Sequence, residues 1–560
     1  MIRKRWMDAV AVAAICIALL FSVSLVYLPE VFALESKEVP MEYAEKLFDK
    51  EKIMSIDILM SDEEWQDMLD HAAAEEYYCC DVVVNGVTYY NVGIRPKGNT
   101  SLSQIVSDDT TDRYSFKLEF DHYDSTQTCM GLDKLVLNNM MADATYRKEY
   151  ISYDIMSYLG VETSLYSYAD VSRNGETWGL YLAFEAVEES YAQRVFGSSY
   201  GELYKPESLG MGGETFSGTN AATLAYIDDD TDSYSVIFDS AVFSPSEEDK
   251  KELIEALRNI SEGSRLEESM DVDAMLRYIA SNTFLDNDDS YFGSMVHNYY
   301  LYEENGRLTM LPWDYNLAFG GFQSQNASEL INRGIDDVVS GKLEERPMIA
   351  KLLETEEYRT QYYAWLDELV SGYFESGHFA QVMDMLDELL DSYVAEDPTA
   401  FYTYEEYKAA NEMLRLFCDK RAESIRSQLD GVLAGTASEQ TEETKIDTSD
   451  ITVSVMGVQF GGGGHEMAED SGEKEKGERE NRQNGGFPGG EGNMPEGMQM
   501  SEGNKHQGMQ MPENMDFSDR KAPGMEAESS DGTAGAWLGI SAAVMAAGLL
   551  FAGFYPRSRY

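Results

Sequence analysis

The sequence predicts an α+β protein with two lobes, a strand-rich lobe at about residues 41–205 and a mostly helical lobe at about 206–430. Segments such as "YCCDVVVNGVTYYNVGIRPKGN" alternate apolar and polar residues, which is typical of strands. From Pro245 onward apolar residues recur at helical spacing instead, as in "DVDAMLRYIASNTFL". We therefore expect a cleft between a lobe of strands and a lobe of helices.

Turn and cap signals place the elements of the first lobe. Asn85-Gly86 and Asn174-Gly175 each stand between alternating segments and predict two hairpins. "YSFKLEF" and "KLVLNN" predict two more strands. "DATYRKEYISYDIMSYLG" predicts one prominent helix, with Gly160 where a C-terminal cap would fall.

The second lobe is a series of predicted helices interrupted by one hairpin. The helices are expected in "SEEDKKELIEALRNI", "DVDAMLRYIASNTFL", "PMIAKLLETEEYRTQYYAWLDELVSGYF" and "AQVMDMLDELLDSYVAE". The hairpin lies in "HNYYLYEENGRLTMLPWDYN", with Asn305-Gly306 as its two-residue turn. That turn sets a register in which Asn298 faces Trp313, with Asp314 one step beyond.

The hairpin register predicts a cation site at its open end. Asn298 and Asp314 each offer an oxygen ligand, which suits a hard divalent cation such as Mg²⁺. Asp286, Asp288 and Asp289 lie nearby and are candidates for a general base or a further ligand. The alternative is that these residues cap loops at strand ends, where Asn and Asp are common.

A calcium-binding EF-hand loop does not account for the same acids. If Asp286 occupied the first ligand position, Tyr291 would stand where glycine is needed. His297 would stand in place of the bidentate glutamate.

The ends and the charge indicate location and exclude one class of partner. Residues 1–33 have a basic start and an apolar run, typical of a signal peptide or signal anchor. Residues 534–555 form an uncharged apolar run with a basic flank, which predicts a transmembrane helix and an extracytoplasmic domain at 41–430. Residues 431–533 are rich in Gly, Glu and Met and predict a disordered stalk. The formal net charge of −58 argues against nucleic acid as a partner.

Several blocks, in order along about residues 80–430, resemble the CotH kinase family, named after spore coat protein H. They are "IRPKGNTS", "YSFKLEFD", "LVLNNMMADATYRKEYISYDIMSYLGV", "WGLYLAFEAVEESYAQRVFG", "GELYKPES" and "HNYYLYEENGRLTMLPWDYNLAFGG". The resemblance implies a divergent protein-kinase-like fold with two lobes. It also implies binding of ATP with Mg²⁺ (or Mn²⁺) and transfer of the γ-phosphate to Ser or Thr of proteins, including the chain itself.

The resemblance assigns roles to the acids of the second lobe. Asp289 would be the catalytic residue that orients the substrate hydroxyl, with its neighbour Asp288 as the rival for that role. Asn298 and Asp314 would hold the metal.

Residues of the first lobe would bind the nucleotide. Lys117 would reach the ATP phosphates, with Glu149 as its ion-pair partner. Arg147 would add a phosphate contact, and Lys205 and Glu185 would line the cleft. The segment "RPKGNTS" is expected to cradle phosphates through Arg95, Lys97, Gly98, Asn99 and Ser101.

Two other functions fit parts of this pattern. A non-catalytic surface adhesin or cell-envelope binding protein would use the same fold without the chemistry. A metal-dependent hydrolase or nuclease would use the acids but would not need Lys117 or the "RPKGNTS" segment. Because the metal and base positions are all filled, the sequence favours a membrane-tethered kinase with a protein substrate.

Overall fold

The strands of the first part of the chain close into a seven-stranded barrel. The computed structural model describes residues 41–206, 221–322, 326–457 and 459. Along the barrel wall the strands follow the order β1-β2-β3-β4-β5-β7-β6 and then return to β1. They are β1 (Met54–Leu59), β2 (Tyr78–Val84), β3 (Val87–Lys97), β4 (Ser115–Glu119), β5 (Lys134–Asn138), β6 (Tyr166–Arg173) and β7 (Glu176–Glu185).

One parallel pair closes the barrel and overturns the predicted two-lobed, kinase-like fold. β1 pairs in parallel with β6, with Met54 opposite Ala169, although the two strands are far apart in the chain. All other neighbours are antiparallel and come largely from hairpins, including those at Asn85-Gly86 and Asn174-Gly175. Closure pairs every strand on both sides and leaves no open sheet edge. The prediction of a kinase-like first lobe was therefore wrong.

On the side formed by β5, β6 and β7, the barrel wall is buried on both faces for most of its length, which joins it to the helices. Along β7, Tyr181 and Ala183 belong to the core inside the barrel. Leu180, Leu182 and Phe184 alternate with them and belong to a larger core shared with the helices. Because successive strand residues point to opposite faces, one strand contributes to both cores.

Most of the helices belong to the larger core, which they share with one side of the barrel and with a small second sheet. Early helices are α1 (Glu42–Leu47), α2 (Asp62–Asp70), α3 (Thr100–Val106), α4 (Lys148–Tyr158), α5 (Glu189–Phe196), α6 (Ser235–Phe238), α7 (Glu247–Glu262) and α8 (Leu266–Ser269). Later helices are α9 (Val272–Leu285), α10 (Ala327–Ile331), α11 (Pro347–Glu354), α12 (Glu356–Glu368), α13 (His378–Glu396) and α14 (Tyr404–Leu429). The segment predicted as one helix from Pro347 is divided at Thr355, which is extended, and ends in a π-helical stretch at Leu369–Glu375.

A buried ion pair connects the barrel to the helices. Nη1 of Arg113, just before β4, lies 2.8 Å from Oδ2 of Asp397 at the end of α13. Both side chains are fully buried. Nη1 of Arg113 also donates to the hydroxyl of Thr399 at 2.7 Å. A buried charge of this kind is tolerated only because its partners satisfy it.

The predicted hairpin register is confirmed in a three-stranded antiparallel sheet. This sheet has the order β10-β9-β8 and contains β8 (Glu202–Tyr204), β9 (Tyr299–Glu304) and β10 (Arg307–Pro312). The register pairs Glu304 with Arg307 and Tyr299 with Pro312, so Asn298 and Asp314 follow at the open end.

The packed chain extends beyond the predicted boundary at Asp430. Leu433, Ile451, Val453 and Met456 are all buried against the rest of the protein, so the predicted start of the stalk at 431 is too early. The predicted segments at 1–33 and 534–555, and the stalk from residue 460, lie outside the described residues. Within the described ranges, no helix has both the length and the apolar character needed to cross a bilayer.

Candidate active site

One cleft collects most of the residues predicted to act. It has a volume of about 740 Å³, within the range of roughly 300–1,000 Å³ that is usual for small-molecule sites. The cleft lies where β3, β4 and β5 of the barrel face the open end of the β9–β10 hairpin. The predicted residues that line it are Arg95, Lys97, Gly98, Asn99, Ser101, Lys117, Glu149, Lys205, Asp289, Asn298 and Asp314.

The two predicted metal-binding residues occupy similar backbone positions. Asn298 has a φ of 56° just before β9, and Asp314 has a φ of 58° just after β10. Both are left-handed, a conformation that Asn and Asp adopt more readily than most residues. Strained backbone of this kind is frequent at functional sites, and here it flanks both strands at one end of the hairpin.

Asp289 is held in the cleft by His297 and Asn298, two residues that are adjacent to each other in the chain. Nε2 of His297 lies 2.7 Å from Oδ1 of Asp289. Nδ2 of Asn298 donates to Oδ2 of Asp289 at 3.1 Å and to its backbone oxygen at 2.8 Å. Burial raises the pKa of Asp289 and the charge of Asp314 raises it further, while His297 and Asn298 act in the opposite direction. The carboxylate is thus oriented by donors on two sides.

Asp288 has a different environment, although it is the adjacent residue. Nη2 of Arg333 lies 2.7 Å from its Oδ2, and Oγ of Ser340 donates to its Oδ1 at 2.5 Å. Arg333 also forms an ion pair with the buried Asp286. Asp288 does not line the cleft. Of the two rivals, only Asp289 faces the space where a substrate would bind.

Lys117 has an ion-pair partner other than the one predicted. Its ammonium pairs with Glu188 at the start of α5, and Glu188 also pairs with Lys134. Phe116 and Leu118 on either side point into the barrel core, so the side chain of Lys117 leaves the opposite face toward the cleft. The predicted partnership of Lys117 with Glu149 is therefore wrong.

Glu149 instead belongs to a hydrogen-bonded group with Lys97. Nδ2 of Asn138 donates to Oε2 of Glu149 at 2.9 Å, and Nζ of Lys97 donates to Oδ1 of Asn138 at 3.1 Å. Burial, with a contribution from the charge of Asp314, raises the pKa of Glu149 to about 8. Burial lowers the pKa of Lys97, while Asp314 and Glu149 act against that change. Asn138 thus links a buried cation to a buried carboxyl group.

The "RPKGNTS" segment forms one rim of the cleft. Arg95 pairs with Glu75, which also lines the cleft. Gly98 has a φ of 129°, and a Cβ atom there would lie 2.7 Å from Oγ of Ser101. Because an L side chain would meet both strain and a clash, this turn needs glycine.

Two residues assigned to the nucleotide site lie elsewhere. Arg147 is fully buried, with Nη2 at 2.6 Å from the hydroxyl of Tyr407 and 2.8 Å from Oδ1 of Asp387. Glu185 is also fully buried and accepts hydrogen bonds from Arg194 at 2.9 and 2.6 Å. Neither lines the cleft, because both sit where the barrel wall meets helices.

The sequence analysis assigned no role in the cleft to several residues that line it. His297 precedes Asn298 directly, so its position beside a candidate ligand was an available signal. Asn138 ends the predicted strand "KLVLNN", where a polar residue after an apolar run was also visible. Glu188 and Gln459 carry no local signal, since tertiary packing alone brings them to the cleft.

The donor set at the hairpin end fits Mg²⁺ held together with a phosphate ligand. Among the described residues, no group of three or more His, Cys, Asp or Glu side chains is arranged to hold a metal ion. Mg²⁺ is commonly held by one or two carboxylates together with substrate phosphates and water, rather than by a full protein cage. Asn298 and Asp314 supply one amide and one carboxylate to the cleft, which matches that need.

These features define a barrel-and-helix protein with a deep cleft that combines lysines, an oriented aspartate and a two-residue candidate metal site. The family model "CotH kinase protein" matches residues 94–425, more than half of the chain, and the protein belongs to this family. The chain is also similar to the inner spore coat protein H of Bacillus subtilis (strain 168). The two are 22% identical over 314 residues, which cover 54% of this chain and 80% of that protein.

Proposed function

We propose that the protein is a phosphotransferase that moves the γ-phosphate of ATP to Ser or Thr hydroxyls of protein substrates, with Mg²⁺ or Mn²⁺. The observation that carries the proposal is the orientation of Asp289 in the cleft by His297 and Asn298. The description of the matched family as kinase proteins points in the same direction.

Asp289 would act on the acceptor hydroxyl. In the proposed step the hydroxyl oxygen bonds to the γ-phosphorus, the bond to the β-phosphate oxygen breaks, and ADP leaves. The hydroxyl proton passes to the Asp289 carboxylate, whose raised pKa favours proton acceptance. The fixed hydrogen bonds to the carboxylate position it without reorganisation during the reaction.

The remaining cleft residues would bind the nucleotide and its metal. Asn298 and Asp314 would hold the divalent ion, which supplies charge neutralisation at the phosphates when bound. Lys97 and Lys117 provide cations on the barrel side of the cleft. Their charges stand out in a chain whose formal net charge is −58, and they suit an anionic ligand.

The proposed substrate is a protein, and the proposed location is outside the cytoplasm. The similar protein from Bacillus subtilis is, by its name, a protein of the inner spore coat. Its similarity is the reason to propose both the kind of acceptor and the location for this chain.

A comparison of adjacent aspartates tests the function. The full-length chain is incubated with γ-labelled ATP, Mg²⁺ and Ser/Thr peptides, as wild type, Asp289→Asn, Asp288→Asn and Asp314→Ala. Loss of a general base is expected to reduce the rate by about 10²–10⁴-fold for Asp289→Asn. Asp314→Ala is expected to abolish transfer through loss of a metal ligand.

Thermal unfolding of each variant serves as the control for folding. Equal transfer by wild type and Asp314→Ala, or no transfer by any form, would exclude the phosphotransferase. A larger loss from Asp288→Asn than from Asp289→Asn, with both variants folded, would move the catalytic role to Asp288.

A further inference from the structure

The chain beyond α14 returns to the cleft as a strap, which we define as residues 446–457 and 459. Asn332 holds its start, since Oδ1 of Asn332 accepts from the backbone nitrogen of Ile446 at 2.9 Å. Nζ of Lys420 pairs with Asp450 at 2.7 Å in the middle of the strap. Met456 is fully buried near its end. The strap lies entirely outside the region matched by the family model.

Two hydrogen bonds join the strap to the start of α4 and the residues just before it. The backbone nitrogen of Ala144 donates to the oxygen of Met456 at 3.2 Å. The buried ammonium of Lys148 donates to the oxygen of Gly457 and, at 3.2 Å, to that of Ala142. Lys148 is the first residue of α4 and directly precedes the cleft residue Glu149.

A second contact of the strap fixes the loop on the other side. The backbone nitrogen of Gln459 donates to the oxygen of Gly321 at 2.8 Å, and Gln459 forms a parallel bridge with Phe322. This loop begins at Asp314, the candidate metal ligand at the end of the hairpin. Gln459 and Phe322 both line the cleft.

We infer that the strap is a positioning element of the cleft, which holds the loop that starts at Asp314 against the start of α4 that carries Glu149. Gln459 completes the wall between these two segments. The segments that carry Asp314 and Glu149 are thus both hydrogen-bonded to a strap that is remote from them in sequence. The expected effect of the strap on nucleotide binding rests on the proposed function. The expected effect of the strap on the order of residues 142–149 and 314–322 does not.

Two glycines of the chain give a matched pair of variants. Gly457 has a φ of 81°, and a Cβ atom there would lie 2.7 Å from the oxygen of Ala142 and 2.8 Å from the nitrogen of Ala144. Gly431 has a φ of 72° with nothing within 4 Å of its Cβ position. Gly457→Ala should therefore push the strap away from α4. Gly431→Ala introduces a similar backbone strain without that clash.

The experiment compares full-length wild type, Gly457→Ala and Gly431→Ala by hydrogen exchange and by phosphotransfer kinetics. In Gly457→Ala, amide exchange should become faster at residues 142–149 and 314–322, and KM for Mg·ATP should rise about tenfold. Gly431→Ala should match wild type in both. A merely structural role would lower the folded fraction and leave KM of the remaining enzyme unchanged.

The inference fails if Gly457→Ala resembles Gly431→Ala either in the exchange of the two segments or in KM. If the wild type transfers no phosphate, the proposed function fails and the exchange data alone decide. Unchanged exchange at residues 142–149 and 314–322 would then overturn the strap's role, and faster exchange there would support it.

Discussion

Substitution of Glu149 by Gln should remove a large pH dependence of stability. Glu149 is 3% exposed. Its carboxylate accepts hydrogen bonds from Nδ2 of Asn138 and from the backbone nitrogen of Tyr315, but burial and the nearby charge of Asp314 oppose its ionisation. Its pKa rises from 4.5 to about 8 in the folded protein. The folded state therefore binds its proton more tightly than the unfolded state does.

The difference in the pKa of Glu149 between the folded and unfolded states sets the sign and size of the pH dependence of stability. Between about pH 4.5 and pH 8 the unfolded chain releases the proton and the folded protein retains it, so wild type loses stability as the pH rises through this window. At about 1.4 kcal/mol for each pH unit, the loss is on the order of 5 kcal/mol. Glu149→Gln mimics the protonated form and should not show this loss.

Urea unfolding of the metal-free full-length chain at pH 5, 7 and 9 measures the effect. The stability of Glu149→Gln relative to wild type should increase from pH 5 to pH 9 by a few kcal/mol. Glu412→Gln, at an exposed position on α14, is the control and should follow wild type. If the curves of Glu149→Gln and wild type stay parallel across this range, Glu149 is ionised in the folded protein and the reasoning is refuted.

Three further substitutions test other contacts. Glu188→Gln weakens the ion pair of Lys117 and should change KM for Mg·ATP several-fold without a large change in melting temperature; an unchanged KM would mean that this pair does not organise the cleft. Arg333→Met leaves Asp286 and Asp288 without their ion-pair partner and should lower the free energy of unfolding in urea by about 3–5 kcal/mol; no such loss would mean that the two carboxylates are solvated. Arg113→Met leaves Asp397 buried and unpaired, with a similar expected loss that Arg113→Met/Asp397→Leu should partly restore.

Local patterns carried enough information to place the hairpin that holds the site. The Asn305-Gly306 turn and the period of two determine which residues pair, so Asn298 and Asp314 could be brought together from the sequence. The start of α4 was harder to predict from the sequence. Residues 143–147 were predicted helical, but the helix begins at Lys148, because the side chain of Asp143 instead accepts hydrogen bonds from nearby backbone nitrogens.

Side-chain partners were harder to predict than positions. The sequence placed Lys117 on a strand and Glu149 on a helix, and both line the cleft. The ion-pair partner of Lys117 depended on which acid the fold brings closest to it, and that acid is Glu188 at the start of α5. The choice between Asp288 and Asp289 likewise depended on Arg333, a residue distant in the chain that takes Asp288 out of the cleft.

The sequence by itself determined the hairpins, most of the helices, the candidate residues of the cleft and the resemblance to the CotH kinase family. These features follow from turn chemistry, periodicity and short motifs, all of which act over a few residues. The tertiary structure alone decided that the first part of the chain closes into a barrel through β1 and β6. It alone decided the ion-pair partner of Lys117 and the return of the strap to the cleft at Gln459. The physical reason is that these contacts join segments far apart in sequence, and their free energy depends on burial and geometry that no local pattern encodes.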